Sequence, residues 1–153
     1  MLFRSVEAAI AAAELGATAM HDPTEGGLAA ALWELATAAR VALRVDRARI
    51  AWFAPGLDVC RAAGADPWAT LASGMLLAAF PQPGVGERVE RLTAMGYDAV
   101  TIGLAEAGEG VRDTDGRPIP WPDRDEVARL LAADRPGHGG QPRRRSTPGG
   151  RPG

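Results

Sequence analysis

The residues of this chain best placed to do chemistry lie in one stretch, His21-Asp22-Pro23-Thr24-Glu25-Gly26-Gly27-Leu28. Asp22 reads as a helix N-cap, Pro23 as the first helical residue, where its missing N–H costs nothing, and Glu25 as the third, where an acid bonds back to the cap. Gly26 and Gly27 then fall inside the opening turns, although each glycine disfavours a helix interior by about 1 kcal/mol relative to alanine. Two reasons for such a pair stand open. Neighbouring atoms press directly on that face, or the bare N–H groups and the positive end of the helix dipole are left free for an anion. On the second reading Thr24, Gly26 and Gly27 offer a hydroxyl and amides to phosphate oxygens while Asp22 holds the turn. A bulky residue at position 27 then weakens ligand binding more than it weakens the fold.

Each remaining candidate has a plainer alternative beside it. His21 is a general base or phosphate ligand, or a neighbour of the cap that bonds locally. Glu25 approaches a metal-bound phosphate, or only caps the helix. Cys60 falls in an apolar helical pattern and reads as a buried small hydrophobe, not a nucleophile. Asp113, Asp115 and Asp123 suggest metal ligands, yet DTDG with Pro118 nearby reads better as a hairpin turn. No P-loop lysine, Ser-His-Asp set or paired-cysteine zinc signature can be assembled.

Positioning these residues falls to short elements. Apolar spacing predicts helices over 5–15, 23–39, 56–63, 84–95 and 125–131, with a further helical turn opened by Asp66-Pro67. On the first helix Val6, Ala9, Ile10 and Ala13 make the apolar face; on the second, Leu28, Leu32, Leu35 and Trp33 supply the stripe. Strands are expected over 17–20, 41–45 and 99–104, and the continuous apolar run 74–80 reads as a central strand buried on both faces. Residues 112–117 form a turn. The near alternation predicts an α+β fold, a mixed β-sheet flanked by helices.

Composition sets the outer limits. At 153 residues, 46% hydrophobic and 24% charged, the chain suits one globular domain over 1–133 and leaves no room for a two-domain enzyme. No apolar run reaches the roughly eighteen residues of a membrane span, and the single cysteine excludes an internal disulfide, so a cytoplasmic address is expected. Residues 134–153 hold five arginines, six glycines and four prolines with no apolar anchor, which predicts a disordered tail. Upstream of it, twelve arginines face eighteen acids, and so acidic a body is not suited to nucleic acid.

The stretch TAMHDPTEGGLAAALWELA, residues 18–36, also resembles the start of the C-terminal domain of the aminoimidazole ribonucleotide (AIR) synthetase superfamily. It is most similar to the AIR synthase-related and hydrogenase maturation factor members, whose Asp-Pro/Ala-Thr-x-Gly-Gly-Leu motif is matched by Asp22, Pro23, Thr24, Gly26, Gly27 and Leu28. The segments CRAAGADP (60–67), LASGMLL (71–77) and Thr101-Ile102-Gly103 follow in the family's order, so that the resemblance spans about residues 5–132. It implies the C-terminal half of a two-domain, ATP-using scaffold whose N-terminal half supplies Asp-rich metal ligands and most of the dimer interface.

That N-terminal half is not in this sequence. ATP and magnesium are therefore expected only in company with the missing N-terminal domain or a homologous subunit. The carrier cysteine that ends the maturation factor is replaced here by Arg151-Pro152-Gly153. The function expected is the cleft-forming half of an ATP-dependent phosphoryl-transfer or dehydration protein. Asp22, Thr24, Glu25, Gly26 and Gly27 would lie toward phosphate and His21 would line the cleft. The alternative is a non-catalytic interaction or regulatory module, or a truncated remnant. Either way an uncovered apolar patch and self-association as a homo-oligomer are expected.

Overall fold

A computed structural model describes residues 4–133, and the expected disordered tail over 134–153 lies outside them. Five α-helices and five strands follow in the order α1 (Arg4–Glu14), β1 (Ala19–His21), α2 (Gly27–Ala39), β2 (Ala42–Val45), α3 (Ala54–Ala63), β3 (Leu77–Ala79), α4 (Val85–Ala94), β4 (Gly103–Glu106), β5 (Gly110–Asp113) and α5 (Glu126–Ala133). The α+β class holds, but the strands divide between two sheets. In one, β2 is the centre, antiparallel to β4 and parallel to β5; in the other, β1 and β3 pair antiparallel, with His21 opposite Leu77.

Helix α2 joins them. Its Leu28, Leu32 and Ala36 are buried against Leu43 and Val45 of β2, Val111 of β5, Leu77 of β3 and the loop residues Ile50 and Ile119. Trp33, half-buried at the edge of this core, donates its indole N–H to the Ile119 carbonyl at 2.7 Å. A smaller core gathers Ala11 and Leu15 with Leu92 of α4 and, around them, Phe80 and Tyr97.

Three expectations need correction. Helix α1 buries Ala11 and Ala12, whereas Val6 and Ile10 of the expected inner face are 54% and 56% exposed. The run 74–80 is not a central strand: a turn at Ala72–Met75 takes its first residues, and β3 pairs with β1 alone among the described residues. The late strand starts at Gly103 instead of residue 99, and its apolar approach makes no ladder there. Strand β5 is not predicted by apolar alternation, because Val111 is its one large apolar residue. Among the described residues no helix is long and apolar enough to cross a membrane.

The Asp113-Thr114-Asp115-Gly116 turn is structural, as its sequence suggested. Asp113 is only 4% exposed; its Oδ1 accepts N–H bonds from Asp115 and Arg117 at 3.0 and 2.9 Å, and its Oδ2 accepts from Arg47 Nε at 3.0 Å. Burial pushes this carboxyl up, but the bonds from Arg117, Arg47 and Asp115 and the Arg47 charge outweigh it and hold it below the ordinary carboxylate value. A depressed folded value means that the contribution is complete above the unfolded value of about 4 and is lost as pH falls through the folded one. Asp113→Asn should therefore melt well below wild type at neutral pH, and the gap should shrink steadily on acidification; a gap independent of pH would contradict this role.

Candidate functional site

The glycine pair does not sit inside the helix. Helix α2 begins at Gly27, its N-cap is Gly26 in the left-handed region (φ 72°), and no side chain caps it. The capping roles expected for Asp22 and Glu25 are thus not filled, nor is Pro23 the first helical residue. The reason is Pro23: its ring is among the fully buried side chains and its carbonyl accepts from Ala72 N–H at 3.2 Å, which ties residues 22–24 down outside the helix and leaves a turn at Glu25-Gly26 before the helix can start. Leaving that turn requires positive φ at both Gly26 and Gly27 (72° and 62°), which only glycine adopts without strain.

Both glycines are then closely covered. A Cβ at Gly27 would stand 2.5 Å from the Thr70 carbonyl oxygen and 2.7 Å from that of Trp68; one at Gly26 would meet Ala30 Cβ at 2.7 Å. The approach is locked by Ala29 N–H, which donates to the Trp68 carbonyl at 2.9 Å. Gly27 N–H donates to the Thr24 carbonyl at 3.1 Å, and Gly26 N–H to Asp125 Oδ2 at 3.0 Å. The same carboxylate caps α5 through Oδ1, accepting from Val127 and Ala128 N–H. Packing thus accounts for Gly27, and the anion at Gly26 is the protein's own. Asp125 was legible as the start of its helix; that it reaches a partner 99 residues away was not.

What stays open is the lip. Asp22, Thr24 and Glu25 are exposed, and His21 is held between two carboxylates, Nε2 on Glu34 Oε2 and Nδ1 at 3.9 Å from Asp22 Oδ1. Glu34 carried no sequence signal, because only the packing of α2 against β1 brings it there. Beside the α2 start a concavity of about 570 Å³ is lined by Trp68, Trp121, Arg47, Arg124 and Arg129, but also by three acids, Asp66, Asp123 and Glu126. Arg129 is bonded to Glu126 through both of its carboxylate oxygens, so the site is no electropositive phosphate trap. Cys60 is buried, as expected, its thiol facing Thr70 Oγ1 at 3.7 Å.

The sequence matches the family model "AIR synthase related protein, C-terminal domain" over residues 1–116. It is 29% identical over 119 residues to carbamoyl dehydratase HypE of Rhizobium leguminosarum bv. viciae, an alignment covering 72% of this chain and 34% of that protein. The fold is similar to that of E. coli HypE, a hydrogenase maturation protein (TM-score 0.69, 22% identity, 81% of this chain and 42% of that one). It is also similar to a HypE in complex with ATP (TM-score 0.57, 22% identity, 69% and 36%). The chain thus spans about a third to two fifths of the length of these relatives.

Gly27→Val should destabilise the fold by about 3 kcal/mol or more, since strain and backbone overlap act together. Asp125→Ala, which removes the cap of α5 together with the bond to Gly26 N–H, should cost about 1–2 kcal/mol. Denaturant titration measures both; a Gly27→Val protein as stable as wild type would show that the backbone at residues 68–70 is not pressed on this face.

Proposed function

The chain belongs to the AIR synthase related family, as a form of its C-terminal domain, and from that premise we propose that it is the cleft-forming half of an ATP-dependent, HypE-like protein whose nucleotide-binding half comes from other polypeptide sequence. The observation that carries this reading is α1: an amphipathic helix buries its alanine side and leaves Val6 and Ile10, one turn apart, more than half exposed. Such a face calls for a partner. A second apolar surface supports it, a cleft of about 550 Å³ between β3 and residues 98–105, at which Val100 and Leu104 are exposed.

The described residues do not by themselves fit ATP and magnesium. The Gly26 and Gly27 amides have internal partners, and among the described residues no three His, Cys, Asp or Glu side chains are placed to hold a metal ion. Within this proposal nucleotide chemistry therefore belongs to the other half. Within the proposal, phosphate contact falls to the exposed Thr24 hydroxyl; Asp22 and Glu25, being acidic, face cations brought by the partner; Gly26 and Gly27 shape the turn. One observation favours a second reading, a non-catalytic interaction module: the same internal partners leave the glycine amides nothing to bind.

Purified alone, the chain should hydrolyse no ATP above a buffer blank. Mixed with an N-terminal half from a HypE-like relative, it should bind and support turnover, and Val6→Glu with Ile10→Glu should abolish binding while leaving the melting temperature unchanged. Binding without turnover would favour the interaction module, and no binding would defeat the docking reading. In sedimentation the isolated chain should self-associate through the α1 face and become monomeric in the double variant.

A further inference from the structure

His21, the one histidine among the described residues, has an unusually fixed support. On one side the β1–β3 ladder pairs it with Leu77; on the other, two residues along, Pro23 is locked in the core. A side chain carried on such a backbone keeps its place. Glu34 reaches its Nε2 from α2. A carboxylate only accepts, so this contact puts the ring proton on Nε2 and leaves the lone pair of the neutral imidazole on Nδ1. On the Nδ1 side the Asp22 carboxylate stands at 3.9 Å, beyond hydrogen-bond reach, and the side chain is 27% exposed. Tying β1 to α2 needs only the Nε2 contact; among the described residues the second nitrogen has no hydrogen-bond partner, and it lies beside the exposed Asp22.

We propose that His21 and Glu34 form a proton-accepting pair, in which Nδ1 of His21 takes a proton from an O–H or N–H group of a small polar ligand seated over the turn. The X–H bond of the ligand breaks, its electron pair stays on the ligand, and the new N–H makes an imidazolium flanked by Glu34 and Asp22. The proton passes to solvent or to the leaving product afterwards. Glu34 is a positioning residue: it sets which nitrogen is basic and touches no ligand. The ligand rests on the docking proposed above, whereas the state of the ring belongs to this chain alone and is tested on it first.

Long-range proton–nitrogen NMR of the full chain, labelled at histidine nitrogen and carrying His138→Gln to remove the second signal, reads the tautomer of the neutral ring. The expected result is a bare Nδ1 and a protonated Nε2, relaxing toward the mixture of free imidazole in Glu34→Ala. A ring protonated mainly at Nδ1 in the presence of Glu34 overturns the proposal. So does a His21 inert to diethyl pyrocarbonate while His138 of the natural chain reacts, because the lone pair would then be sealed. In the protein assembled with its nucleotide half, His21→Gln should lower turnover by about a hundredfold with assembly intact. Unchanged turnover overturns the pair, whereas failure of the wild-type halves to assemble defeats the docking reading and leaves the tautomer measurement to decide this one.

Discussion

The first turn of α2 lies directly on the backbone of residues 68–70, and the remaining architecture follows from that contact. Without a side chain at Gly27 the carbonyls of Trp68 and Thr70 come within what would be bonding conflict for any Cβ, and the Ala29 amide closes the gap onto Trp68. Because α2 is anchored there, its Leu28 and Leu32 enter the space between the two sheets, and the sheets need not pair with each other to share one core. Close packing makes the arrangement intolerant: a single methyl group at the contact has no volume to occupy.

The electrostatics of the same spot are settled internally. A helix start exposes unpaired amides and a partial positive charge, and here one carboxylate, Asp125, answers the amide of Gly26, just before α2, and two amides of α5. The two explanations for a glycine pair are therefore not rivals in this protein. One glycine admits a neighbouring backbone and the other meets an anion, but the anion is part of the chain. That arrangement leaves the surface beside the turn acidic, with Asp22, Glu25 and Glu34 around His21.

Apolar surface is distributed unevenly over the domain. The α2 core is enclosed, while one face of α1 and the cleft beside β3 and β4 are not. Uncovered apolar faces of this kind are suited to contact with another protein surface. The chain covers a third to two fifths of the length of the relatives it matches.

Local chemistry was sufficient to read most of the helices, the burial of Cys60 and the turn at Asp113, because periodicity and turn residues depend on near neighbours in the chain. It also carried the family resemblance. What it could not give was any relation between distant residues. The inward face of α1, the division of the strands into two sheets, Glu34 beside His21 and Asp125 on Gly26 were decided only in the folded molecule. Burial and hydrogen-bond partnership are properties of surfaces brought together, and a residue's own type does not say which amide, 99 positions away, its carboxylate will meet.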